Sequence, residues 1–131
     1  MASKVTTTKY IVYEERPDGV TVASYIMGDY KIGFAEAEVI MDERKAVLDG
    51  KSRRLVAIAP PSAIEVSPAA QQLFGSAYGQ QGFSAIAMII GDGEQATRAN
   101  EFLDSKVEKT GILIRAFVTV QEGIDWISEL N

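Results

Sequence analysis

Two short apolar runs, each followed by turn residues and a helical pattern, constrain the fold of this chain most strongly. The runs are residues 55–59 and 84–90, with the sequences LVAIA and SAIAMII. Apolar runs of this length, bounded by proline or glycine, are typical of strands that are buried on both faces. Strands that alternate with helices form parallel sheets through right-handed crossovers, so the sequence predicts an α/β fold.

A β-hairpin is predicted ahead of these runs. Residues 9–15 and 20–27 alternate between apolar and polar residues, and the segment Arg16-Pro17-Asp18-Gly19 between them has the residues of a tight turn. A helix is predicted next, over residues 34–49 with Gly50 as its stop. Its inward positions recur at helical spacing: Phe34, Ala37, Met41 and Leu48.

Serine and proline mark the start of the next helix. Ser67 is a preferred N-cap, and Pro68 suits the first helical position because the N–H it lacks has no partner there. A further helix is predicted over residues 94–109, capped by Asp92. The loop of residues 60–68 follows the carboxyl end of a strand, where ligands and modifications usually act in α/β sheets.

The last strand and helix are predicted from a charge and a capping pattern. Arg115 lies in the middle of the strand over residues 112–118, which places this strand at or near the sheet edge. Thr119 with Glu122 forms a capping box for the helix that follows. Ile124 and Ile127 of that helix are directed toward the sheet, and in one alternative Trp126 joins them.

The predicted order of elements is β-β-α-β-α-β-α-β-α, in a single domain over residues 1–131. The sheet is mixed and mostly parallel, with the hairpin as its antiparallel member. Alternate positions of the two apolar runs are alanines: Ala57, Ala59, Ala85 and Ala87. The sequence therefore predicts one sheet face lined with small residues, on which a helix packs closely.

Composition excludes several classes of site. The 131 residues include neither cysteine nor histidine, which excludes Cys/His zinc sites, thiol nucleophiles, disulfides and the usual general base near neutral pH. The net charge of -5 argues against a nucleic-acid surface. No pair of carboxylates lies within an apolar run that would raise a pKa by burial. We expect no enzyme activity, no cofactor and no metal.

No stretch approaches the length of a transmembrane helix, and the first residues do not resemble a signal peptide. A cytoplasmic protein with no membrane span is expected. Residues 91–96 nominally fit the G-x-G-x-x-A pattern of dinucleotide-binding folds. A turn plus a helix cap explains them better, because Asp92 would lie beside the pyrophosphate and too little sequence follows.

Four segments carry a resemblance to a known family: residues 84–90 (SAIAMII), 98–103 (RANEFL), 114–119 (IRAFVT) and 122–127 (EGIDWI). With the order of elements, they resemble the SpoIIAA-like, STAS-type domains, in particular the small stand-alone bacterial STAS-like proteins of unassigned function. The segments are similar to that family's hydrophobic strand, its Arg-x-x-Asn-like helix, its strand ending in Phe-x-Thr and its closing acidic helix.

The resemblance directs attention to the strand-to-helix loop. In the anti-sigma-factor antagonists of this family, that loop carries an Asp-Ser-Ser/Thr-Gly-like segment whose hydroxyl a partner kinase phosphorylates. Here the segment is Val66-Ser67-Pro68-Ala69, which departs from the pattern at the acceptor. Ser67 and Ser62 remain candidates for modification, because a phosphate at a helix N-terminus meets free N–H groups. The interpretation of Ser67 as a cap alone is favoured.

The function implied by the resemblance is a non-enzymatic regulatory or protein-interaction module. It would bind another protein, or itself, through residues 60–68 and the following helix. Phe74 and Tyr78, one turn apart, either pack on the sheet or form part of a partner surface. The alternative is a protein that binds a small hydrophobic, lipid-like ligand, because STAS-like folds resemble the lipid-binding lobe of the Sec14 type. An enzyme is the least favoured hypothesis.

Self-association is a further expectation. Both sides of the two apolar runs are apolar, so something must cover the second face of the sheet. Homodimers are the commonest closed assembly and have apolar interfaces. We expect a homodimer with aromatic residues at the contact, among Tyr10, Tyr13, Tyr25 and Tyr78.

Overall fold

One large sheet and one small sheet contain the strands of the computed structural model, which describes residues 3–48, 54–60, 63–75, 83–104 and 112–130. The strands are β1 Lys4–Thr7, β2 Ile11–Glu15, β3 Val20–Tyr25, β4 Lys31–Ile32, β5 Arg54–Ile58, β6 Glu65–Val66, β7 Ala85–Ile89 and β8 Leu113–Phe117. The helices within these residues are α1 Phe34–Leu48, α2 Pro68–Gly75, α3 Gly93–Asp104 and α4 Val120–Ser128.

The large sheet is mixed, as predicted. Its strand order is β1-β2-β3-β5-β7-β8, while β4 and β6 pair in parallel as a separate two-stranded sheet. The pairs β1–β2 and β2–β3 are antiparallel, and the remaining pairs of the large sheet are parallel. Strand β8 lies at one edge, which confirms the position predicted from Arg115.

The hairpin between β2 and β3 closes through the predicted turn. Gly19 has a φ of 85°, a left-handed conformation that favours glycine, and its N–H donates to the Arg16 carbonyl at 3.1 Å. The Asp18 carboxylate accepts from the Val20 N–H and pairs with the Arg16 guanidinium, both at 3.1 Å. Partial burial opposes ionisation of Asp18, but these two interactions outweigh it and lower its pKa.

Helices cover the two faces of the large sheet unequally. On the first face, α1 and α2 pack over β2 and β3, and the end of α1 reaches β5, β7 and β8. On the second face, α4 packs over β3, β5 and β7. The core residues of the first face include Ile11, Tyr13, Ala37, Ile40, Leu48, Leu55 and Ile86; those of the second include Val20, Val56, Ala85, Ala87, Ile89, Ile124 and Ile127.

The prediction of a single small-residue face is wrong. Residues beside each other in a parallel register share a face, and Ala57 pairs with Met88 while Ala87 pairs with Val56. The alanines of β5 and β7 therefore lie on opposite faces. A helix does approach closely, but glycine makes this possible: a Cβ on Gly123 of α4 would lie 3.2 Å from the Ala87 Cβ and 2.8 Å from the Ile89 Cδ1.

Two other features differ from the predictions. The threonine-rich stretch before the hairpin forms β1, and β4 and β6 are strands that were not predicted, because segments of two to four residues carry no readable alternation. Phe34 was predicted to point inward, yet it is 50% exposed, whereas Ala37, Met41 and Leu48 are buried. The apolar pattern of α1 therefore starts at Phe34, whereas its buried face starts one turn later, at Ala37.

Strand β8 is shielded along its outer edge by α3, which packs against it. The Asn100 side chain donates to the Ala116 carbonyl at 3.1 Å and accepts from the Ala116 N–H at 2.6 Å. Its amide thus takes the place that the backbone of another strand would occupy. The predicted cap of α3 is present as well, since Asp92 Oδ1 accepts from the Gln95 N–H at 2.8 Å.

Candidate functional site

The loop between β5 and α2 leaves the sheet at the carboxyl ends of the parallel strands. The N–H of Ala59 extends the sheet ladder by donating to the Ile89 carbonyl at 2.8 Å. Ile64 is buried in the core of the first face and anchors the returning part of the loop. Strand β6 follows directly and leads into α2. The candidate site is therefore held at both ends by the core.

Ser67 is the N-cap of α2, as predicted. Its Oγ accepts from the Ala70 N–H at 3.1 Å, and its carbonyl accepts from the Gln71 N–H at 3.0 Å. Pro68 occupies the first helical position and Ala70 is fully buried. The side chain of Gln71 also returns to the loop and donates to the Val66 carbonyl at 3.0 Å. The start of α2 is thus fixed by side chains as well as by the backbone.

A second segment, the connector of residues 26–34, runs from the end of β3 to the first residue of α1 and is joined to this loop by the pairing of β4 with β6. The Ser67 N–H donates to the Ile32 carbonyl at 2.9 Å, and the Glu65 N–H donates to the Tyr30 carbonyl at 3.1 Å. The Tyr30 hydroxyl folds back within the connector and donates to the Ile26 carbonyl at 2.6 Å. Connector and loop consequently form one surface, which we call the Ser67 surface.

The Ser67 surface displays two large apolar side chains. Met27 is 78% exposed and Phe34 is 50% exposed, and both belong to the nine-residue connector. Sequence reasoning missed both of them. The predicted strand extends to Met27 and the predicted core includes Phe34. The bend at Gly28 and Asp29, which ends the strand early, is the signal that could have found Met27.

The other residues singled out from the sequence have mixed outcomes. Phe74 is half-buried and packs against the core of the first face. Ser62 and Tyr78 lie outside the described residues. Tyr13, expected at a subunit contact, is only 1% exposed, because it fills the core between β2 and α1. That part of the expectation is wrong, whereas Tyr10 and Tyr25 are partly exposed.

Burial sets the electrostatics of the tyrosines near this surface. It raises the pKa of Tyr25 to about 12, with a smaller contribution from Tyr30. It also raises the pKa of Tyr30, whose ring lies 5.6 Å from that of Tyr10. Both phenols are therefore neutral hydrogen-bonding groups at physiological pH.

The charged groups of the Ser67 surface are ordinary solvent-facing ones. Lys31 and Glu65 approach to 3.8 Å, with side chains 82% and 72% exposed, so the pair contributes little to stability. Within the described residues, no three Asp or Glu side chains lie close enough to hold a metal ion. No helix in the described part of the chain is long and apolar enough to cross a membrane.

The glycine-rich turn before α3 is a structural turn. A Cβ on Gly91 would lie 1.6 Å from Gln95 Oε1, so the Gln95 side chain occupies the space beside this glycine. Asp92 caps the helix with its carboxylate. A pyrophosphate placed there would meet a negative charge, which agrees with the interpretation as turn and cap.

A solved structure matches almost the whole chain: the crystal structure of an uncharacterized protein of the DUF3478 family from Shewanella loihica, described as having a SpoIIAA-like fold. The match covers 96% of this chain and 92% of that one, with a TM-score of 0.55 and 17% sequence identity. The chain has a SpoIIAA-like fold. No protein-family model and no curated protein matches the sequence.

The SpoIIAA-like fold agrees with the resemblance found in the sequence, including the mostly parallel sheet and the four helices of the described residues. In this SpoIIAA-like fold, the strand-to-helix loop that ends at Ser67 is the loop that the resemblance in the sequence singles out as a candidate site. The connector adds two exposed apolar side chains, Met27 and Phe34, and its backbone is held to the loop by the pairing of β4 with β6.

Proposed function

We propose that this chain is a non-enzymatic, cytoplasmic STAS-like module that binds another protein through the Ser67 surface. The observation that carries the proposal is the exposure of Met27 and Phe34 in a connector that is hydrogen-bonded to the start of α2. Large apolar side chains that stay in water within one short segment are typical of protein-binding surfaces. The ordered backbone around them lowers the entropy cost of binding.

The test is quantitative affinity capture from the native host, comparing wild-type protein with Met27→Glu and Phe34→Glu. Each change places a charge where a partner would bury an apolar side chain, so a partner should be depleted by about tenfold or more. Val39→Glu and Leu113→Glu are matched controls, because these residues are also exposed, at 38% and 43%, but lie outside the connector. If the two control variants reduce capture of the partner as much as the connector variants do, the proposal is contradicted.

A second pair of variants tests the start of α2. Ser67→Asn and Ser67→Asp both keep a good N-cap, and only the aspartate adds a charge. If the partner contacts the start of α2, Ser67→Asp should weaken capture while Ser67→Asn retains it. Equal capture by both variants would show that the partner does not contact the start of α2. Thermal unfolding of both variants checks that the cap is intact.

The purified protein can also be used to test the hypothesis of a lipid-like ligand. Organic extraction of the purified protein, followed by mass analysis, measures any hydrophobic molecule that co-purifies. A stoichiometric lipid-like molecule, with capture unchanged in the connector variants, would replace the protein-binding proposal with the ligand-binding one.

A further inference from the structure

We propose that β1 pairs with β1 of a second copy of this chain, antiparallel and about a two-fold axis at Val5, so that the two large sheets become one. This surface lies at the β1 edge of the large sheet, which no further strand of the described residues covers, and it is separate from the Ser67 surface. The inference goes beyond binding of another protein, because it names the partner as the chain itself and fixes the register.

The hydrogen-bond ladder shows which residues of β2 bond to β1 and which bond to β3. The Ile26 N–H donates to the Tyr10 carbonyl at 2.8 Å, one step beyond the β2–β3 register. Bonded and non-bonded pairs alternate in an antiparallel ladder, so the even-numbered residues of β2 bond to β3 and the odd-numbered ones to β1. The bond from the Thr8 N–H to the Ile11 carbonyl, also 2.8 Å, agrees with this alternation.

The register of β1 then identifies its outward groups. Residues 4 and 6 lie opposite residues 15 and 13 and take the bonded positions. Val5 and Thr7 consequently direct their N–H and C=O groups away from β2, along the open edge. An antiparallel second copy with Val5 opposite Val5 satisfies these groups reciprocally, and Thr7 then lies opposite Ser3 of the second copy.

The side chains of β1 are compatible with this pairing. Val5 is 62% exposed, and at the two-fold axis the two copies of this valine lie side by side. Lys4 lies opposite Thr6 of the second copy, so no like charges meet. The Lys4 ammonium is 4.0 Å from the Glu15 carboxylate of its own chain, which partly balances its charge.

The opposite edge of the sheet explains why the assembly stops at two copies. Both backbone groups of Ala116 on β8 are bonded to the Asn100 side chain, and α3 packs along the strand. Strand addition is blocked there, so the sheet grows at β1 alone and a two-fold pair is closed. A four-residue strand buries less than a standard interface, which places this dimer at the weak, transient end.

Cysteine cross-linking tests the register, because the chain contains no cysteine of its own. In the proposed pair the two Cα atoms of residue 5 are about 5.5 Å apart, within the range of a disulfide. The two Cα atoms of residue 7 are offset by four residues and are about 13 Å apart. Under mild oxidation, Val5→Cys should form covalent dimers on the order of tenfold faster than Thr7→Cys.

Sedimentation of cysteine-free protein gives an independent measurement. Wild-type protein should shift toward dimer between micromolar and millimolar concentration. Val5→Lys, which places like charges at the axis, should remain monomeric, while Val39→Lys on α1 should behave as wild type. Thermal unfolding of each variant shows whether it folds.

Three outcomes would overturn the inference. They are equal cross-linking by the two cysteine variants, faster cross-linking by Thr7→Cys, and wild-type protein that stays monomeric at millimolar concentration. None of them bears on capture of a partner by the Ser67 surface, so the two proposals fail separately.

Discussion

Thr21 and Thr119 carry the same hydroxyl in opposite situations. Thr21 on β3 is 1% exposed, and its Oγ1 has no hydrogen-bond partner within the described part of the structure. Thr119 is exposed, and its Oγ1 accepts from the Glu122 N–H at 3.2 Å in the capping box of α4. A buried hydroxyl without a partner loses its hydration and gains nothing in return.

We therefore expect Thr21→Val to raise the free energy of unfolding by about 1 to 2 kcal/mol, because it removes an unsatisfied polar atom and keeps the branched shape. Thr119→Val should lower it by about 1 kcal/mol through loss of the cap. Urea denaturation measures both. Destabilisation by Thr21→Val would mean that an internal water satisfies this hydroxyl.

At the scale of elements, the contact of α4 with the sheet depends on Gly123. We expect Gly123→Ala to lower the free energy of unfolding by about 1 to 3 kcal/mol, even though alanine favours helix by about 1 kcal/mol, since the new methyl group overlaps Ile89 and Ala87. In an Ile89→Val background the clash at 2.8 Å with Cδ1 is removed. A double-mutant cycle in which the Gly123→Ala cost does not fall would contradict this packing.

Elements with their own sequence signals were predictable. Local residue preferences predict three of these features, and the folded structure contains them all: the two apolar runs, the turn at Gly19 and the capping box at Thr119. Strand β1 is rich in valine and threonine, which favour strands, but its four residues are too few to show an alternating pattern, and pairing with β2 makes it a strand. The faces of Ala57 and Ala87 depend on the register between two strands, which no single run encodes.

The candidate site was predictable only in part, for a related reason. Ser67 is marked by its own residue type and by the proline after it. Exposure of Met27 and Phe34 depends on where the sheet ends relative to α1, which is a property of the assembled fold. Local patterns name the cap, whereas the surface around it is set by tertiary structure.

The whole molecule should lose stability at alkaline pH. Burial raises the pKa values of Tyr13 and Tyr25 in the folded chain above the usual value near 10, for Tyr25 to about 12. The folded state then holds these protons longer than the unfolded state. Their contribution is fully present below about pH 10 and is lost above it, by about 1.4 kcal/mol per pH unit for each tyrosine.

Urea denaturation across this alkaline range measures the loss. Tyr13→Phe and Tyr25→Phe should each make the decline of unfolding free energy with pH less steep, because each removes one ionisable group. In the folded protein, the tyrosinate absorbance of these two residues should appear at a higher pH than that of a solvent-exposed tyrosine. A decline that neither variant alters would assign the alkaline loss to other groups.

The pairing of β4 with β6 makes the loop and the connector a single mechanical unit. The amide protons of Glu65 and Ser67 are both held by carbonyls of the connector, at Tyr30 and Ile32. Neither proton is released to solvent unless the two segments separate, so both exchange through one cooperative opening. A partner that binds Met27 and Phe34 should therefore slow exchange of the Glu65 and Ser67 amides, in β6 and at the N-cap of α2, without contacting that helix.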